Sequence, residues 1–188
     1  GHLERFSGVI EAVRRYSKRP LFIDSVRISP FKARGTDINV ILDLMVHDLD
    51  LILCLVKSPI ISADAAGSPV FSSSEDIASV RLKFADGCVA NIVASRVSRK
   101  SERKMRIFEY ERYLTADLEQ RTIRVLSKPA AASPSAFPAI EFHDESYDDG
   151  DSLEKEIAAF ASAVRDRSEP LVSGEDGIAV LELSLIHI

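Results

Sequence analysis

The stretch "LDLMVHDLDLILCL", residues 42–55, sets Asp43, His47, Asp48 and Asp50 inside an otherwise apolar run. Asp43, His47 and Asp50 step by four and three residues, which lines them up on one face of a helix. Ionisable groups in such a helix must be paired or used, because burying them bare is expensive. His47 titrates near neutral pH and suits a general base that takes a proton from a hydroxyl, with Asp43 one turn earlier setting the ring's orientation and basicity. The competing reading is structural: Asp43 and His47 hydrogen-bond each other and do no chemistry. A metal site is the third. It needs a further ligand, and only His2, His143, His187 and scattered carboxylates offer one.

A second constellation is basic. "SRVSRKSERKMR" concentrates Arg96, Arg99, Lys100, Arg103, Lys104 and Arg106. It reads either as a solvated hairpin or as an anion site, since guanidinium forks grip phosphate in pairs of hydrogen bonds. Arg34, in the loop before the polar helix, is another candidate for that role. The acidic stretch 141–156, with its "DDGD", reads as a solvated cap before a helix rather than a metal cradle.

These residues need elements to hold them. Val9, Ile10 and Val13 give a short helix over 7–17, and "LFIDSVRI" a strand. Asp37 or Asn39 caps the polar helix, which runs to about Val56. From Ala78 the pattern turns to period two, and "ADG" at 85–87 is a turn leading to the hairpin partner "CVANIVASRVS". Further strands fall at 104–111, 113–118, 121–127 and 139–145. "DSLEKEIAAFASAVRD" is a helix with Asp151 or Ser152 as cap, Glu154 at capping-box distance, and Ile157, Phe160, Ala161 and Val164 on one apolar face. "SGEDGIAVLEL" starts another. The fold class is therefore α+β: an open, mostly antiparallel sheet of about six strands with helices on one side. The other face of such a sheet is left for a partner, and a twin subunit fits it.

The 188 residues suffice for one domain. A formal net charge of −5 argues against nucleic acid as the main partner. The longest purely apolar run, Leu51 to Val56, is far short of a membrane span, and no segment reads as a secretory signal. Cys54 and Cys88 sit among apolar residues and read as reduced thiols of a cytoplasmic protein.

"GHLERF", then "RISPFKARGTDINVILDLMVHDLDL", then "ASRVSRKSERKMRI" and "DSLEKEIAAFASAVRDRSEPLVSGEDGIAVLE", resemble the C-terminal domain of the Gfo/Idh/MocA family of NAD(P)-dependent sugar oxidoreductases. The resemblance implies a parent in which an N-terminal Rossmann domain holds most of the NAD or NADP and this domain holds a sugar. Asp43 and His47 match the family's Asp-x-x-x-His, so His47 would take the hydroxyl proton while hydride passes to the nicotinamide. Asp48 and Asp50 would be structural. The flavour of the motifs is nearest to members acting on UDP-N-acetylhexosamines at the ring 3-hydroxyl, and a UDP-sugar's diphosphate would meet Arg34, Arg96 and Arg103. Asp37, Ile38 and Asn39 stand where many members have glycines, and Ser7-Gly8 where Asn-Pro is usual.

No two glycines are spaced as Gly-x-Gly, and the catalytic Lys of the Rossmann domain has no counterpart. The expectation is thus a fragment that does not turn over alone. Residues 1–19 would be the linker and short helix leaving the Rossmann domain, 20–150 the substrate and dimerisation sheet, 151–182 the C-terminal helices, and 183–188 a non-native tail. The rival is a non-catalytic sheet domain used for assembly. A third possibility is a reductase for non-sugar carbonyl or imine substrates on the same scaffold.

Overall fold

The computed structural model describes residues 2–32, 38–129, 139–148 and 150–185. A short 3₁₀ turn, Leu3–Phe6, opens into α1, Gly8–Tyr16. The Ser7 hydroxyl accepts from the N–H of Ile10 at 3.2 Å, which caps the helix and lets Val9, Ile10, Ala12 and Val13 enter the core. β1, Phe22–Pro30, buries Ile23, Ser25 and Arg27 on one face, as a period-two strand must.

The polar helix is not one regular helix. Ile41–Met45 is π-helical and passes into α2, Val46–Leu55. Asn39 supplies the expected cap, its side-chain oxygen accepting from the N–H of Leu42 at 3.1 Å, whereas Asp37 and Arg34 lie outside the described residues.

The strands β2 (Ile60–Ser68), β3 (Ile77–Phe84), β4 (Val89–Ser98), β5 (Glu102–Glu109), β6 (Arg112–Asp117), β7 (Thr122–Ser127) and β8 (Glu141–Ser146) complete one sheet with β1. Its order is β2-β3-β4-β1-β5-β6-β7-β8, eight strands where about six were expected. β1 pairs β4 in parallel, and every other pair is antiparallel. β2 is the strand missed in the sequence. It is an edge strand, mostly exposed on both faces, so "IISADAAGS" has no apolar alternation to show. At the β3–β4 turn Gly87 adopts φ +92, a conformation side chains avoid, which explains the glycine of "ADG".

Helices cover one face only: α1 lies over β6 and β7, and α2 over β1 and β4. The core between them includes Ile52, Leu82, Ile92, Met105 and Leu114. α3, Ser152–Asp166, is capped by Asp151, and α4, Gly174–Ser184, by a reciprocal Ser173–Asp176 capping box. The expected apolar face of α3 is not packed: Ile157, Phe160 and Val164 are 61%, 61% and 63% exposed. No helix among the described residues is long and apolar enough to cross a membrane.

Candidate active site

Two buried ion pairs fix α2. Asp50 receives Arg5 through Nε at 2.9 Å and Nη2 at 2.6 Å, and Arg5 also reaches Asp176 of α4 at 3.3 Å. Asp48 receives the Ser25 hydroxyl at 2.7 Å and the Arg27 Nε at 2.6 Å, both from β1. Asp48 and Asp50 are therefore anchors, one to the sheet and one to the opening turn. Arg27 is held a second time, its Nη1 donating to Glu4 at 2.9 Å. Fixed charge-assisted contacts close to His47 in the sequence leave the helix little freedom to roll.

His47 carries the most telling atom. Its Nδ1 is buried and has no hydrogen-bond partner among the described residues, and the same holds for Nη2 of Arg27. Unpaired buried polar atoms are rare in proteins, and a catalytic role is one of the reasons for which they are kept. Burial pushes the imidazole below its ordinary pKa, and the Arg27 charge pushes the same way; Glu4 and Asp48 oppose both, and His2 adds to the lowering. A neutral ring is one that can accept a proton.

Among the described residues no hydrogen bond joins Asp43 to His47. The four-residue step aligns two residues in an α-helix, but the π-helical turn containing Asp43 is wider, so sequence spacing alone overstates the alignment. Such π turns recur at functional sites.

The basic candidates separate. Arg96 is buried, its Nε on Asp76 at 2.7 Å and its other nitrogens on Ile38 O, Ser72 Oγ and Ser74 Oγ. It ties the 70–76 loop to the approach of the polar helix, a structural engagement that sequence did not reveal. Arg103 is different: 48% exposed and directly across from Arg27 in the β1–β5 register. It lies 3.9 Å from Glu4 and 3.5 Å from Glu119, and lines a cavity of about 210 Å³ with Ser7, Arg121 and Ser152. Arg27 and Glu4 were not singled out from the sequence. The signal for Arg27 was present, since alternation with Ile23 and Ser25 places it on the inward face.

The sequence profile of the GFO/IDH/MocA C-terminal domain matches residues 11–112, more than half of the chain. The chain belongs to the Gfo/Idh/MocA family. Within that family it is 34% identical to the UDP-N-acetylglucosamine 3-dehydrogenase of Acidithiobacillus ferrooxidans over 98% of this chain and 59% of that protein. The solved structure of that enzyme, GnnA, superposes with a TM-score of 0.90 at 33% identity, again over 98% and 59% of the two chains. A myo-inositol dehydrogenase from Corynebacterium glutamicum shares the fold at 22% identity and a TM-score of 0.72, over 98% of this chain and 59% of its own. This Gfo/Idh/MocA chain thus spans about three-fifths of the length of these relatives.

No Gly-x-Gly occurs in the sequence, and the sheet of the described residues is mostly antiparallel, whereas a dinucleotide-binding fold has parallel strands feeding helix N-termini.

Proposed function

We propose that this chain is the substrate side of an NAD- or NADP-dependent dehydrogenase that oxidises a ring hydroxyl of a nucleotide sugar, a UDP-N-acetylhexosamine in the first instance. The observation that carries the reading is the buried, unpartnered Nδ1 of an imidazole held toward its neutral form. A nicotinamide dinucleotide held by residues outside this chain would supply the hydride acceptor, and this chain's share would be the proton. His47 takes it from the hydroxyl as general base. Asp43, on the turn before, is a carboxylate without a hydrogen-bond partner among the described residues, and it meets the sugar or the ring once substrate is seated. Arg103, with its neighbour Arg27 neutralised by Asp48 and Glu4, is the arginine open enough to meet a diphosphate. Support for the substrate class comes from the 34% identity to an enzyme named for UDP-N-acetylglucosamine.

The test is His47→Asn in the protein that includes its dinucleotide-binding portion, assayed with UDP-N-acetylglucosamine, free N-acetylglucosamine and myo-inositol. Turnover of the nucleotide sugar falls by about 10²–10⁴-fold in the variant, with the melting temperature little changed. Unchanged turnover rejects His47 as base, and a preference for either free compound rejects the nucleotide-sugar assignment. A sheet that serves assembly alone would bind none of the three.

A further inference from the structure

We propose that Phe31 and Phe71 form the seat of the uracil base of the nucleotide sugar, so that this aromatic pair, away from the reacting helix, selects for the nucleotide. This base subsite rests on the nucleotide-sugar reading of the chain. Its ground is two rings left in the open beside the approach to the polar helix. Phe71 is 67% exposed and Phe31 36%, and their centroids stand 5.4 Å apart, edge to face at 76°. Such a pair keeps a ring face open to a third flat group, and every base has a π-face to lay on it.

The loop that carries Phe71 is firmly built. One oxygen of the fully buried Asp76 accepts the N–H groups of Val70, Phe71 and Ser72 at 2.9, 2.6 and 2.8 Å. The other accepts the Ser72 hydroxyl and Arg96 Nε, both at 2.7 Å. The exposed ring is thus fixed through its own backbone, and a base settling on it orders little that is not already ordered. The same loop is tied to the polar helix. The N–H of Val40 donates to the Glu75 carbonyl at 2.9 Å and Arg96 Nη1 to the Ile38 carbonyl at 2.7 Å. Asn39, between them, caps the π turn that bears Asp43.

Phe31 comes to the pair directly after β1, four residues past Arg27, which stands across from Arg103 in the β1–β5 register. Four residues of extended chain cover at most about 13 Å. The rings and the arginine read as the diphosphate contact are therefore separated on the scale of a ribose and its phosphates, more than a single sugar ring spans. The patch also suits a base better than a protein. With Val70 and Ile38, 52% and 39% exposed, it offers four side chains, where a stable protein interface uses roughly 20 a side.

The experiment is calorimetric titration of the complete protein, including its dinucleotide-binding portion, with UDP and with N-acetylglucosamine 1-phosphate, which has no base. Phe71→Ala weakens UDP binding about tenfold or more, the cost of losing an aromatic stack on a base. Phe71→Trp keeps UDP binding. Phe71→Leu, apolar but without a π-face, behaves like Phe71→Ala. N-acetylglucosamine 1-phosphate binds the parent and Phe71→Ala alike, and in turnover of UDP-N-acetylglucosamine KM rises in Phe71→Ala while kcat holds. The ring is mostly exposed, so these changes leave the core untouched. UDP binding that is absent from the parent, unchanged in Phe71→Ala or retained in Phe71→Leu overturns the proposal. So does a Phe71→Ala protein that loses mass in sedimentation but still binds UDP, since the patch then contacts another copy. A parent that turns over UDP-N-acetylglucosamine while its UDP binding ignores Phe71 rejects the base subsite alone. A parent that binds UDP through Phe71 but prefers a free sugar in turnover rejects the nucleotide-sugar substrate and leaves the stack standing.

Discussion

At the scale of single residues, the chain uses buried charge for two purposes, and the partners tell them apart. Asp76 is fully buried and accepts the N–H groups of Val70, Phe71 and Ser72 at 2.9, 2.6 and 2.8 Å, the Ser72 hydroxyl at 2.7 Å and Arg96 Nε at 2.7 Å. Despite the cost of burial, these bonds hold its carboxyl far below the usual range. Both carboxylate oxygens are engaged, so the pair is part of the fold. Asp76→Ala removes the carboxylate that takes Arg96 Nε and leaves the N–H groups of Val70, Phe71 and Ser72 without their acceptor, and stability falls by about 3–5 kcal/mol by denaturant titration; Arg96→Ala behaves alike. Were Arg96 a substrate contact, its loss would instead raise KM with stability near normal. If Arg103, half open and touching two glutamates at longer range, meets the substrate as proposed, its removal raises KM while kcat holds. His47 differs from all of these because an atom is left over. Its type and helix were plain in the sequence, but the unpaired nitrogen depends on which neighbours reach it, and pattern does not encode reach.

At the scale of elements, the edge strand β8 is held to α1 by one carboxylate. Glu145 accepts from Tyr147, Tyr16, Arg15 at 2.5 Å and His143 at 2.7 Å, with the Arg15 guanidinium 4.9 Å over the Tyr16 ring. Those donors, led by Tyr147 and Tyr16, bring its pKa down to about 2. A carboxylate depressed on folding stabilises the native state above its unfolded value near 4.5. That contribution is lost as pH falls from there through about 2, because the unfolded chain binds the proton more readily. Hydrogen exchange of the β8 amides is the readout: protection declines over that window in the parent, while Glu145→Gln starts lower and is flat across it. His47 has the same sign in a higher window, since a ring kept neutral by burial loses stability as pH drops below about 6.5. How far the sequence foretold such elements follows from what each buries. β3 and β4, with one face in the core, announce themselves by alternation, and α1 by its stripe of Val9, Ile10 and Val13. β2 and the π turn are invisible for opposite reasons: β2 buries almost nothing, and the π turn reads as ordinary helix because hydrophobic spacing cannot resolve a single widened turn.

At the scale of the whole molecule, two broad surfaces lack cover among the described residues, and we propose a different partner for each. The open face of the sheet has a row of paired polar groups across all eight strands: Asp64, Arg81, Asn91, Asp24, Arg106, Thr115, Arg124 and Asp144 in register. Arg81 meets Asn91 at 2.8 Å, and Arg124 meets Asp144 at 2.8 and 2.7 Å. Beside it runs an apolar row of Val89, Phe22, Phe108, Tyr113, Leu126 and Phe142, with Phe108 set between Phe22, edge-on at 5.9 Å, and Tyr113, tilted at 4.8 Å. Internally neutralised charge next to an aromatic stripe suits a second copy of the same face, as an isologous contact requires. The other surface is the stripe of Ile157, Phe160 and Val164 on α3, which borders an apolar groove of about 670 Å³ between α3, α4 and the opening turn. It adjoins His2 and Val46, close to His47 in the chain, and we propose it as the seat of the cofactor-bearing portion of the protein. In the complete enzyme Phe108→Glu therefore halves the mass seen by sedimentation while leaving a cofactor-saturated active site. The pair Ile157→Glu and Phe160→Glu leaves the mass unchanged but weakens the grip between the two portions, seen as faster proteolysis between them and a raised KM for the nucleotide. Exchange of these two outcomes would reverse the assignment, placing the twin subunit on the helices and the cofactor-bearing portion on the sheet.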